Sequence, residues 1–106
     1  MDKDAVYLVQ EINSELKRKY PDFQGIYFFG SRVNGLFRKD SDVDIALIFK
    51  RVIDWRFQKE ILTVLYELEL KYNVIIDFTV LTEQDIIDPN TFFKVNIKNE
   101  GIYYAA

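Results

Sequence analysis

Three short runs of β-branched and aromatic residues, Ile26–Phe29, Val43–Phe49 and Val74–Leu81, leave this chain few architectures. Each has the length of a strand rather than a helix and is bounded by polar turn residues, the pattern of buried strands. Gln24 starts the first of them and Gly30 closes it.

Helical periodicity fills most of the remainder. Ala5, Leu8, Val9, Ile12 and Leu16 recur at three- and four-residue spacing over residues 4–19, and Pro21 and Asp22 end that pattern. Asp54 reads as an N-cap, after which Phe57, Ile61, Val64, Leu65, Leu68 and Tyr72 mark one face of a long helix that stops at Asn73. Thr82 with Asp85 three residues on predicts a capping box and a short helix limited by Pro89. Phe92, Phe93 and Ile97 suggest one more helix, with Gly101 as its stop and a last short strand at Ile102–Tyr104. Without repeat, linker or low-complexity tract, this alternation describes a single α/β (α+β) domain over residues 1–106. The dozen residues between the first two strands suit an antiparallel neighbour with a short inserted helix, or a tight crossover; spacing does not choose.

Composition removes several function classes. The chain has no cysteine and no apolar stretch near the roughly 18–20 residues of a membrane span, and Met1-Asp2-Lys3-Asp4 lacks a signal-peptide core, so a cytoplasmic setting without membrane is expected. A net charge of −3 disfavours direct nucleic-acid binding. With no histidine, any chemistry falls to carboxylates, hydroxyls, amines or hard cations.

The polar stretch Gly30–Asp44 holds the candidate chemistry. Asp42 and Asp44 are two apart at a strand start, so both side chains fall on one face and repel. Asp77 stands inside Val-Ile-Ile-Asp-Phe-Thr-Val-Leu, where an uncompensated charge would cost several kcal/mol. If the two strands are neighbours, the three carboxylates converge into an oxygen-only ligand set suited to Mg²⁺ or Mn²⁺. Two such ions, about 3.5–4 Å apart, serve in-line phosphoryl displacement without histidine. Gly30-Ser31 at a strand end offers backbone N–H groups and a hydroxyl to phosphate oxygens, Gly35 permits close backbone approach, and Arg32, Arg38 and Lys39 supply nearby positive charge.

Competing loops fail by position. A calcium loop from Asp40 meets Ile45 where glycine belongs and Arg51 where the closing glutamate belongs, and Leu36-Phe37 stands where a P-loop needs Lys-Ser/Thr. Tyr7, Phe57, Tyr66 and Tyr72 lie on or beside helix faces and read as core or partner contacts rather than base-stacking platforms.

Gly30-Ser31, ten intervening residues and Asp42-Val43-Asp44 resemble the signature of the minimal nucleotidyltransferases, relatives of DNA polymerase β, with Asp77 at the place of that family's third carboxylate. The resemblance implies a mixed β-sheet with helices packed on one side, Mg²⁺ (two ions) on Asp42, Asp44 and Asp77, and a nucleoside triphosphate over Gly30, Ser31, Arg32 and Gly35. It further implies AMP transfer from ATP to a hydroxyl, with a HEPN-domain toxin as partner in an antitoxin role, in a homo- or hetero-oligomer. Such an antitoxin would adenylylate a tyrosine of the toxin or bind and mask it. Asn34 departs from the family, many members of which carry a basic residue there.

Overall fold

A computed structural model describes residues 2–35, 38 and 41–106. Its elements in chain order are α1 (Lys3–Lys19), β1 (Phe23–Phe29), α2 (Ser31–Asn34), β2 (Val43–Phe49), α3 (Trp55–Tyr72), β3 (Ile76–Thr82), α4 (Glu83–Ile87), α5 (Phe92–Glu100) and β4 (Ile102–Ala105). The strands form one mixed sheet in the order β3-β2-β1-β4. β1 is antiparallel to both β2 and β4, and β2 is parallel to β3, with α3 making the crossover.

The β1–β2 connection is therefore the antiparallel one, with α2 as the inserted helix. A register shift between Phe23 and Gly25 changes the phase of β1, so Phe23 faces the same core as Ile26 and Phe28.

Two helices cover one face of the sheet. Ala5, Leu8, Val9, Ile12 and Leu16 of α1 and Phe57, Ile61 and Leu65 of α3 bury against Val43, Ile45, Leu47 and Phe49 of β2. The apolar stripes of both helices are the ones their spacing predicts. Asp2 caps α1 and Asp54 caps α3, whose last turn ends at Asn73 in the left-handed conformation. On the opposite face Ala46, Ile48 and Leu81 meet Ile97 of α5 in a smaller cluster. This second layer lies only beside part of the sheet.

β3 starts at Ile76, two residues later than the run of apolar residues suggests. Val74 still belongs to the helix exit, donating its N–H to the Glu69 carbonyl at 3.2 Å, and the Glu69 carboxylate accepts the N–H of Ile76 at 3.0 Å. The predicted capping box is present: Asp85 N–H donates to Thr82 Oγ1 at 3.1 Å and Thr82 N–H to Asp85 Oδ2 at 2.9 Å. The four aromatic residues assigned to helix faces divide, with Phe57 in the core and Tyr72 packed against it, while Tyr7 and Tyr66 are exposed. Among the described residues no helix is long and apolar enough to cross a membrane.

Candidate active site

The parallel register of β2 and β3 sets Asp44 directly beside Asp77. Both follow a residue buried against α1 and α3, Val43 and Ile76, so the alternation of the strand turns the two aspartates to the opposite face. Burial raises the Asp44 carboxyl, and the charge of Asp77, its hydrogen bond and the charge of Asp42 raise it further, to about 6. Asp42 is exposed and stands just ahead of β2, two residues from Asp44. Asp77 and Asp42 thus both act on Asp44.

β1 brings the glycine turn to the same place. Phe29, its last residue, pairs with Asp44, and Gly30 follows at φ 83°, ψ −165°, a region open essentially to glycine alone. A Cβ on Gly30 would overlap the Asp44 carboxylate and come within 2.9 Å of its Cγ. Ser31 then starts α2, half-buried, and Gly35 ends it at φ 81° in the left-handed conformation. Gly35 has no described atom within 4 Å of where a Cβ would stand, so its backbone angle rather than crowding selects glycine there.

Arg32 has a different setting from that expected of a nucleotide contact. Its side chain is buried, with 9% of the residue exposed, and the guanidinium pairs with Asp2 while Nε and Nη2 donate to the Ser41 carbonyl at 2.9 and 2.6 Å. Asp2 uses its other oxygen to accept the N–H of Asp4 at 3.0 Å and of Ala5 at 3.4 Å. Burial works to raise the Asp2 carboxyl, but the Arg32 hydrogen bond and the two N–H groups outweigh it and hold it below the usual carboxylate range. Arg32 consequently ties the start of α1 to the residue preceding Asp42. Nothing in the local sequence marks this clasp, because its partners are separated by 30 and 9 positions. Arg38 is exposed and donates its backbone N–H to Ser41 Oγ at 2.8 Å. Lys39, Asp40, Leu36 and Phe37 lie outside the described residues.

None of the seven ion pairs among the described residues reaches Asp42, Asp44 or Asp77. As placed, no three described carboxylates stand close enough together to enclose an ion. The donor set nonetheless fits a hard divalent cation: oxygen ligands only, mutual repulsion at Asp44, and no described basic partner to relieve it.

A family model for a nucleotidyltransferase domain matches residues 9–104. The chain belongs to that family. The nucleotidyltransferase domain finds no match in a sequence search of curated proteins. Its fold is shared with solved structures at low identity. One is a crystal structure of a candidate nucleotidyltransferase from Sulfolobus solfataricus, 20% identical, aligned over 98% of this chain and 88% of that one with a TM-score of 0.60. Another is a mutant of the toxin–antitoxin complex MntA–HpeT, 21% identical over 90% of this chain and 69% of that one, TM-score 0.61. A third is a toxin–antitoxin structure with AMP-PNP, 20% identical over 92% and 69%, TM-score 0.54. The mixed sheet expected from the resemblance is the one observed.

Proposed function

We propose that this nucleotidyltransferase domain transfers AMP from ATP to a hydroxyl acceptor, and that the acceptor is a tyrosine of a HEPN-domain toxin for which it is the antitoxin. The observation that carries the reading is the meeting of Asp44 with Asp77 on adjacent strands, against the turn at Gly30. The toxin–antitoxin complexes among similar folds, one holding AMP-PNP, support the choice of ATP and of a protein partner.

Asp42, Asp44 and Asp77 would hold Mg²⁺ or Mn²⁺, which when bound neutralises charge on the carboxylates and the triphosphate. Gly30 and Ser31 orient the triphosphate through backbone N–H groups and the Ser31 hydroxyl, and Gly35 lets the loop turn close by. Arg32 holds that loop to the Asp42 strand rather than touching phosphate itself. Asp77, exposed on the edge strand, accepts the proton of the acceptor hydroxyl. The acceptor oxygen then forms a bond to the α-phosphorus, the bond from that phosphorus to the β-phosphate bridge breaks, and pyrophosphate leaves.

The test is incubation of the domain with Mg²⁺, ATP labelled in its α-phosphate and the protein encoded by the adjacent gene. Label should appear on a tyrosine of that protein, and Asp42→Ala with Asp44→Ala should abolish it. Label persisting in the double variant refutes this mechanism.

Stoichiometric masking of the partner is the second reading, favoured by an exposed stripe of Trp55, Leu62, Tyr66 and Leu70 along α3 and by exposed Phe92 in the tail. It predicts that the Asp42→Ala, Asp44→Ala protein still neutralises the toxin at equimolar ratio.

A further inference from the structure

β3 ends one side of the sheet and carries no lysine, proline or register shift to guard that edge. The parallel ladder decides which of its backbone groups face outward. Val43 N–H donates to the Ile75 carbonyl at 2.9 Å, so Asp77, Thr79 and Leu81 turn their N–H and carbonyl groups to β2, and Phe78 and Val80 turn theirs away. Side chains close the two ends, with Ile76 N–H donating to Glu69 Oε2 and Thr82 N–H to Asp85 Oδ2. Among the described residues nothing bonds to the outward backbone groups of Phe78 and Val80.

An apolar stripe borders the same edge. On α3, Glu69 reaches Ile76 on one side and Lys71 reaches Glu11 of α1 on the other, at 2.9 Å, and exposed Leu62, Tyr66 and Leu70 project between them. Tyr66 and Leu70 share a cleft with exposed Ile75, the residue before β3. We infer that β3 and α3 together form the interface between two copies of this chain, the two β3 strands pairing antiparallel about Thr79. In that register Phe78 and Val80 of each copy exchange N–H···O bonds with Val80 and Phe78 of the other, and Ile76 and Thr82, already engaged, are not needed.

The helix obeys the same symmetry. About Val64, roughly 14 Å back from Asn73 along α3, Leu62 faces Tyr66 of the second copy and Lys59 faces Glu69. Thr79 stands at a similar level, roughly 10 Å beyond Ile76 along the strand, so one two-fold axis serves both elements. Charge complementarity selects a second copy as the occupant: the antiparallel arrangement sets Lys59 against Glu69 twice, and Glu69 keeps Oε1 for the lysine because Ile76 engages Oε2. Asp77 falls opposite Leu81 of the second copy and roughly 14 Å from the second Asp77, beyond the screening length of about 8 Å at physiological salt, so the acids of the two sites do not oppose pairing. The carboxylate face stays open, and an acceptor reaches Asp77 from that face. A masking partner that uses the α3 stripe has to displace the second copy.

This inference does not depend on the reaction proposed above. Sedimentation of the domain from about 5 µM to about 1 mM should show the mass rising toward twice the 12.6 kDa of the chain. Amide hydrogen exchange at the two ends of that range locates the contact: Phe78 and Val80 should gain protection with concentration, while Asp77, Thr79 and Leu81, bonded to β2, should not change. Val80→Pro removes an outward N–H that β2 does not use and should leave a monomer. Tyr66→Lys and Lys59→Glu, at exposed helix positions that keep the fold, should each weaken pairing at least about tenfold. A monomer throughout the range overturns the proposal, as does a dimer in which Phe78 and Val80 exchange alike at both concentrations. A dimer indifferent to Tyr66→Lys and Lys59→Glu removes α3 from the interface. Protection of Phe78 and Val80 that appears only when the protein encoded by the adjacent gene is added assigns the edge to that partner and overturns self-pairing.

Discussion

The Asp44 carboxylate fills the space in which a side chain on Gly30 would have to stand. Strand pairing creates this contact, since Phe29 and Asp44 are register partners and Gly30 comes next. The glycine is therefore selected twice, by a φ of 83° with ψ −165° and by the acid beside it. Gly30→Ala should destabilise the domain by about 2–3 kcal/mol and push Asp44 out of place. Gly35→Ala carries the left-handed penalty alone, about 1 kcal/mol, because no described atom crowds it. Urea unfolding of the two variants, with nucleotide transfer measured on each, should show the larger loss in both quantities for Gly30→Ala.

Asp44 gives the domain a pH dependence of its own. Its folded value of about 6 exceeds the ordinary 3.8, so between those two values the folded state binds more protons than the unfolded one. Stability from this group is full below about 3.8 and falls as pH rises through about 6. Asp44→Asn should accordingly match the parent near pH 3 and exceed it at pH 8, by on the order of 1 kcal/mol once solvent screening at a half-buried group is allowed for. Urea midpoints recorded across pH 3–8 check the crossover. Mg²⁺ added at pH 8 should raise the parent's Tm, chelation should reverse the rise, and Asp44→Asn with Asp77→Asn should show neither effect.

The sequence made the elements legible but not their pairing. Periodicity of 3.6 residues placed α1 and α3, with Asp54 as the cap of the second, because each helix buries a single stripe, and β-branched and aromatic runs placed three of the strands. The direction of β2 relative to β1 escaped local reading, since a dozen residues close either connection. Asp77 was conspicuous as a charge in an apolar run, but the burial that the run suggested is not found: β3 is an edge strand and leaves the Asp77 side chain exposed, so its charge needs no buried partner. Asp2 carried no comparable signal: its partner Arg32 is 30 positions away and looks like any surface basic residue until the fold buries it.

The clasp makes a second, opposite pH window. Asp2 is held below the ordinary carboxylate range, so the stability it contributes is present above about 3.8 and lost as pH falls through its folded value. Arg32→Met leaves the Asp2 carboxylate nearly buried without its ion-pair partner and should cost about 3 kcal/mol. Asp2→Asn with Arg32→Met should cost less than the sum of the single changes, since the second removes the charge the first strands. A double-mutant cycle by urea unfolding measures that coupling; strictly additive losses would show that the pair contributes nothing as a pair.

Stability and site chemistry separate along β2. Phe49, fully buried, ends the strand in a ring cluster with Tyr20, Phe23 and Phe57, at centroid distances of 5.7, 5.1 and 4.8 Å. It lies five residues from Asp44, about 17 Å along an extended strand. Arg51, paired with Asp22, stacks on the same cluster with its guanidinium 4.0 Å from the Phe57 centroid. Phe49→Ala opens a cavity between both helices and the sheet and should cost about 3–5 kcal/mol. Its effect should appear in the urea midpoint, whereas transfer per folded molecule, measured well below that midpoint, should stay within about twofold of the parent. A matching collapse of transfer in the folded population would mean that the ring cluster governs the carboxylates through the strand, and not only the stability of the fold that holds them.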